Sequence, residues 1–182
     1  FRSGKRQNIA QGRNAGAKLA EGDVFVFMNA DTFLQDKKKF FDTIMQFSSA
    51  NHYSALAFPV KIEMSEENRK DKIFHHFYNN YVRVLNKIGL GMGRGECHII
   101  KREKFFEVNG YNDELAAGED FDLYRRLSKK GKIRFVKDVI IFESPRRYRK
   151  FGYMSVFTDW AKNSISIFLF NKSISKEWEP VR

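Results

Sequence analysis

Two carboxylate groupings and one run of arginines are the parts of this sequence equipped for chemistry. Asn29-Ala30-Asp31 follows a run of five apolar residues, 24–28, and sets an amide and a carboxylate two positions apart. Pointing to the same side, their oxygens suit a hard cation such as Mg2+ or Mn2+. The same carboxylate can equally cap the helix that follows. Gly118-Glu119-Asp120-Phe121-Asp122 puts three carboxylates into the first turn of a helix. The helix dipole favours negative charge there and keeps a carboxylate ionised near neutral pH. An ionised carboxylate can take a proton from a hydroxyl. The plain alternative is charge complementing along the helix, Asp122 with Arg126 for instance. Arg146, Arg147 and Arg149 come after a break at Pro145. Guanidinium forks suit diphosphate oxygens, and a charge run serves as readily as a solvated face.

These residues need elements to hold them. Residues 7–20 have apolar positions at helical spacing and stop at Gly22-Asp23. The apolar run 24–28 reads as a strand buried on both faces. Asp36 can cap a helix carrying Phe40, Phe41, Ile44, Met45 and Phe47, and residues 55–60 read as a second buried strand. Ser65 can cap a longer helix in which Ile73, Phe74, Phe77, Tyr78, Tyr81, Val82 and Leu85 share one broad apolar face. Glycines at 89, 91, 93 and 95 then predict a mobile or closely apposed loop. A strand over 97–101, a helix over 102–108, a stop at Asn109-Gly110, a helix over 119–130 and strands near 133–136 and 139–142 complete the order. Alternating helices and buried strands imply an α/β sandwich with a mainly parallel sheet. In such folds ligands gather at the carboxyl ends of the strands, where Asn29 and Asp31 lie.

Composition bounds the partners. The chain has 182 residues, one domain's worth, and is 15% aromatic, so it has the means to build a core. Its net charge of +11 implies an anionic partner: a phosphorylated substrate, an anionic membrane surface or nucleic acid. The aromatics fall at core spacing and no nucleic-acid motif is present, which disfavours the last. A single Cys97 suits a reducing, cytoplasmic compartment. His52, His75, His76 and His98 share no metal-binding spacing and read as surface or packed histidines. No apolar run approaches the ~18 residues of a membrane span. The stretch after Pro145 mixes cations with Tyr153, Phe157 and Trp160, and later Ile165, Phe168 and Trp178. Such a tail can pack on the domain or lie on an anionic bilayer with those aromatics on one face.

Four pieces in order carry a resemblance: Arg13-Asn14-Ala15-Gly16; Gly22-Asp23 through Asp31; Gly110-Tyr111-Asn112-Asp113-Glu114-Leu115; and Gly118-Glu119-Asp120 through Leu127. Together they are similar to family two glycosyltransferases, from about residue 4 to about residue 151. The resemblance implies a GT-A fold, a Rossmann-like mixed sheet flanked by helices, with residues 152–182 as a helical tail. It implies an inverting transfer of a sugar from a nucleoside diphosphate to a saccharide or lipid-linked hydroxyl acceptor, of the kind used in cell-envelope polysaccharide or glycolipid synthesis. Asp31 matches the position that binds the divalent metal, Mn2+ or Mg2+, and Asp120 the base that deprotonates the acceptor, with Glu119 beside it. Arg13, Asn29, Arg146 and Arg147 match the donor side. There are two departures. Asn29 stands where the family most often has Asp, which weakens the expected metal site. The opening strands that carry the family's nucleobase-binding residues have no match, so the fold is expected to be incomplete at its amino end. A basic binding module on the same fold, without the chemistry, is the competing reading.

Overall fold

The computed structural model describes residues 7–176 and residue 181; Trp178 lies outside them. Helix α1 (Ile9–Leu19) opens on a capping box in which Asn8 Oδ1 accepts from Gln11 N and Gln11 Oε1 accepts from Asn8 N. Strands β1 (Val24–Met28) and β2 (Phe33–Leu34) follow. Helix α2 (Lys37–Ser49) is capped by Asp36 as the sequence predicts, Lys39 N donating to its carboxylate at 2.9 Å. Where one strand is expected there are two, β3 (Tyr53–Ala57) and β4 (Val60–Ile62). Phe58-Pro59 separates them, because proline has no N–H for a ladder, and the two go to different sheets. Helix α3 (Arg69–Lys87) begins after Asn68, not Ser65: residues 63–67 form turns onto Glu63 O, and Asn68 with Asp71 makes the capping box.

The second half contributes β5 (Cys97–Lys101), α4 (Arg102–Glu107), α5 (Glu119–Leu127), β6 (Lys132–Phe135), β7 (Ile141–Glu143), α6 (Arg146–Phe151) and α7 (Tyr153–Phe170). The main sheet has the order β1-β5-β3-β6, with β5 antiparallel to both β1 and β3, and β3 parallel to β6. A smaller sheet, β2-β7-β4, pairs β7 antiparallel to β2 and parallel to β4. The expected mainly parallel sheet is therefore mixed. Alternation of helices and strands does not reveal at which end of a sheet the chain re-enters. Here β5 starts beside the end of β1, Met28 facing Cys97, so residues 94–96 arrive at the carboxyl end of β1.

Two cores flank the main sheet, and the strands between them alternate strictly. On β3, Ala55 and Ala57 face the layer formed by α1, α3, α4 and α5, while Leu56 faces α2. On β5, Ile100 faces the first layer and Cys97 and Ile99 the second. Burial on both faces explains why these strands read as continuous apolar runs. β1 corrects the same expectation. It is the edge strand of this sheet, and only Phe25 is buried, packed edge-to-face on Phe105 and Phe106, while Val26 and Met28 are exposed.

Two helices also differ from their sequence reading. On α3 the inward face is Phe74, Tyr78 and Val82; Ile73, Phe77 and Tyr81 point outward. On α7, Tyr153, Phe157 and Trp160 pack against Phe74, Tyr78 and Tyr148, so the aromatic face offered to a bilayer is turned into the molecule. Arg149 belongs to this packing and not to a phosphate site. It ion-pairs with the buried Asp71, which also accepts from Tyr153 and so ties α6 and α7 to the start of α3. Among the described residues no helix is long and apolar enough to cross a membrane.

Candidate active site

The turn after β1 is closed by Thr32, whose N–H and hydroxyl both donate to Asn29 O at 3.3 and 2.8 Å. Asn29 N in turn donates to Glu96 O, continuing the β1–β5 ladder one step past the strands. This fixes Asp31 at the end of β1 with its side chain about half exposed. Arg146 Nη2 lies 3.3 Å from Asp31 Oδ2, and the Arg146 side chain also donates to Ser144 Oγ at 3.0 Å. An exposed carboxylate and an exposed guanidinium thus sit side by side.

Arg13 from α1 is the strut of the site. Its guanidinium donates to Asn29 Oδ1 at 3.0 Å, Gly95 O at 2.8 Å and Glu119 Oε1 at 3.1 Å. One side chain therefore ties the β1 turn, the entry to β5 and the start of α5. The amide oxygen of Asn29 is engaged by this arginine, so the pairing of Asn29 with Asp31 as two open oxygen ligands is not what the fold holds.

Helix α5 starts at Gly118, whose φ is 77° and where a Cβ would come within 2.6 Å of Ile167 Cδ1. The positive φ favours glycine, and any side chain there would also have to displace the tip of Ile167. The first turn then buries Glu119 and sets the half-buried Asp120 against the cavity. Phe121 N donates to Asp120 Oδ1 at 2.8 Å, and Oδ2 lies 3.5 Å from where a Cβ on Gly95 would stand. Burial, helped by the neighbouring Glu119 charge, pushes the Asp120 carboxyl up to about 7. The sequence argument from the helix dipole pointed the other way; desolvation outweighs it. Glu119 is also raised by burial, with Arg13 pulling against it. Asp122 takes the structural role instead, 2.6 Å from Arg126 at i,i+4.

The floor of the site is a buried network that the sequence reading missed. Arg94 is 4% exposed, stacks over the Tyr78 ring, and donates to Glu96 Oε1 at 3.2 Å, Glu143 Oε1 at 2.7 Å and Tyr148 Oη at 3.3 Å. Burial and Glu96 push Glu143 well above the usual carboxylate range, whereas Glu96 is held low by Arg94 in spite of its burial. The available signal was three charges at strand ends, Arg94 and Glu96 just before β5 and Glu143 closing β7. The glycine loop is the closely apposed kind: Cβ atoms at Gly91 and Gly93 would collide with Tyr124 at 2.3 and 2.4 Å. His75 and His98 are packed histidines, burial lowering His75 to about 3 and His98 well below its ordinary value.

Arg13, Asn29, Asp31, Glu119, Asp120, Arg146 and Arg147 all line one cavity of about 570 Å³, with Arg94, Glu96 and Glu143 beneath and Trp160 and Asn163 of α7 on its wall. Of the residues singled out from sequence, these seven share the cavity, whereas Asp122 and Arg149 lie outside its lining. Among the described residues no group of three or more His, Cys, Asp or Glu side chains is placed to hold a metal ion. One carboxylate beside two arginines fits a Mg2+ or Mn2+ ion that takes most of its ligands from phosphates and water.

A model of the glycosyltransferase-like family 2 matches residues 4–169. No curated protein sequence matches the chain. Among solved structures, the mannosyltransferase PcManGT from Pyrobaculum calidifontis, in complex with GDP-Man and Mn2+, is similar with a TM-score of 0.66 and 19% identity over 91% of this chain and 43% of that one. A mycobacterial protein is similar with a TM-score of 0.50 and 13% identity, over 92% of this chain and 52% of that one. The chain thus spans about half the length of these structures, or less, and they show its fold to be GT-A. With the family model covering most of its length, the chain belongs to the glycosyltransferase-like family 2.

Proposed function

We propose that this chain carries the catalytic site of an inverting glycosyltransferase that moves a sugar from a nucleoside diphosphate to a hydroxyl acceptor. One observation carries the reading: a single cavity is lined by a half-buried carboxylate raised to about 7 and by an exposed carboxylate together with two arginines. Asp120 takes the proton of the acceptor hydroxyl as its oxygen attacks the anomeric carbon. The bond to the diphosphate breaks on the opposite face, and the configuration inverts in one displacement. Arg146 and Arg147 receive the departing diphosphate charge. Asp31 would hold a divalent metal against that diphosphate, and the metal's contribution is to stabilise the leaving group. Arg13 keeps the two halves in register.

The donor to try first is GDP-mannose, which PcManGT holds together with Mn2+. A saccharide or lipid-linked acceptor at the cytoplasmic face of the membrane fits the charge of +11, and cell-envelope polysaccharide or glycolipid synthesis is the role we assign. Engagement of Asn29 by Arg13 is the observation that favours the second reading, a basic binding module without chemistry. A panel of GDP-, UDP- and dTDP-sugars with and without Mn2+ separates the two. The transferase reading requires a donor-specific thermal shift and donor turnover that D120N loses. Binding without turnover under every condition supports the module.

A further inference from the structure

Helix α3 has two unlike faces. The inner one carries Tyr78 to the wall of the cavity, beneath Arg94. The outer one is a continuous apolar stripe, Ile73, Phe77, Tyr81, Val84 and Ile88, at successive spacings of three or four residues, so that the five side chains form a row along the helix. Each is exposed, from 39% at Tyr81 to 63% at Ile73, although one edge of Phe77 meets Phe157 of α7 and Tyr81 stacks beside Tyr78. Leu90, just past the helix end, extends the row and is also exposed. Four of the charges, Arg69, Lys72 (paired with Glu67), Arg83 and Lys87, fall along one flank of this row at helical spacing, and Lys70 stands at its amino end, one turn before Ile73. The helix contains five cations and one acid, and that acid, Asp71, is buried under Arg149.

We infer that the outer face of α3 is the surface by which this protein lies on an anionic lipid bilayer. An apolar row flanked by cations on one side is the pattern of a helix that rests in the plane of a membrane interface, its aliphatic and aromatic groups among the acyl chains and its ammonium and guanidinium groups at the headgroups. Charge chooses this occupant over a second copy of the chain. In a two-fold dimer the same cations would face one another. The bilayer offers the opposite sign. The consequence for the site is geometric: α3, about 10 Å thick, carries both this face and Tyr78 of the cavity wall, which suits an acceptor hydroxyl on a lipid-linked molecule. That last step rests on the transferase reading; the surface itself does not.

The test is sedimentation of the protein with vesicles of phosphatidylcholine alone and of phosphatidylcholine mixed with phosphatidylglycerol. Pelleting is expected only with the anionic vesicles and should fall as salt rises. The triple variant I73Q/V84Q/I88Q should keep the parent melting temperature and its turnover of donor onto a soluble acceptor, yet bind vesicles at least about tenfold more weakly. Each cation removed in R69Q, K72Q, R83Q or K87Q should weaken binding by up to about fivefold. D120N should pellet like the parent while losing turnover, which keeps failure of the surface distinct from failure of the reaction. Three results would overturn the inference: a parent protein that stays in the supernatant at low salt, a triple variant that pellets undiminished, or a concentration-dependent dimer that the triple variant abolishes without any vesicle binding.

Discussion

Asp31 and Asp120 are the same residue type lining one cavity, and their surroundings differ sharply. Asp31 ends an edge strand, is about half exposed and is paired with an arginine that is itself exposed. Asp120 sits in the first turn of a helix, enclosed by Glu119, Gly95 and the Arg94 network, and burial raises it to about 7. An exposed carboxylate can exchange its arginine for a cation at small cost, since a surface ion pair is worth about 1 kcal/mol or less. A half-buried one raised to near 7 can both take and release a proton at neutral pH. On the proposed function, position in the fold and not residue type separates the metal ligand from the base.

The largest break in that comparison is Asp120→Asn. It keeps the shape, removes the proton acceptor, and should lower turnover by about 10²–10⁴ while leaving donor affinity nearly unchanged. Full activity would move the base elsewhere. The pH dependence sharpens the same point. Turnover should rise with pH through about 7 as Asp120 loses its proton. Stability should move the opposite way. The carboxyl is raised above its unfolded value of 3.8, so the folded state binds the extra proton; stability is greatest below that value and declines as pH rises to about 7. Melting temperature against pH should therefore slope downward over this window in the parent and less steeply in D120N.

Next in size is Arg13→Met. Both partners of the Arg13–Glu119 pair are mostly buried, at 13% and 10% side-chain exposure. Removing the cation leaves Glu119 uncompensated and should cost about 3 kcal/mol, read by denaturant unfolding. It should also shift the pH–activity profile to the alkaline side, because Arg13 opposes the rise of both Glu119 and Asp120. A variant that unfolds more easily with an unmoved profile would make Arg13 a strut and nothing more.

Sequence made the rim of the cavity easier to read than its floor. Gly118-Glu119-Asp120 and Asn29-Ala30-Asp31 are contiguous, each follows a recognisable break, and each lies at the start of a helix or the end of a strand, so local pattern was enough. Arg94, Glu96 and Glu143 come together only because β5 runs against β1 and starts at the carboxyl end of the sheet, a long-range fact that helix and strand periodicity does not carry. The outward row on α3 was misread for a related reason. Apolar residues at helical spacing covered two neighbouring faces, and only packing of Phe74, Tyr78 and Val82 showed which face was the core. The direction of the Asp120 shift was likewise set by burial, which a first-turn position does not reveal.

The smallest effect expected is at Asn29, and it tests how far the exposed wall is tuned for a metal. Sequence logic says that Asn29→Asp restores a second carboxylate and tightens Mn2+. In the structure the side-chain oxygen of residue 29 receives Arg13 Nη2 at 3.0 Å, and the same guanidinium also serves Gly95 and Glu119. A new carboxylate at 29 would spend most of its charge on that arginine. Its gain in donor affinity with Mn2+ should then be below about 1 kcal/mol, whereas Asp31→Ala should remove the Mn2+-dependent part of that affinity altogether. Calorimetric titration of GDP-mannose with and without Mn2+ against the parent and both variants resolves this. In the double variant R13M/N29D the aspartate is released from the arginine, and the metal response should grow. A large gain in N29D alone would mean that Arg13 yields its hold on residue 29 when the metal arrives, and that the strut is itself part of the donor site.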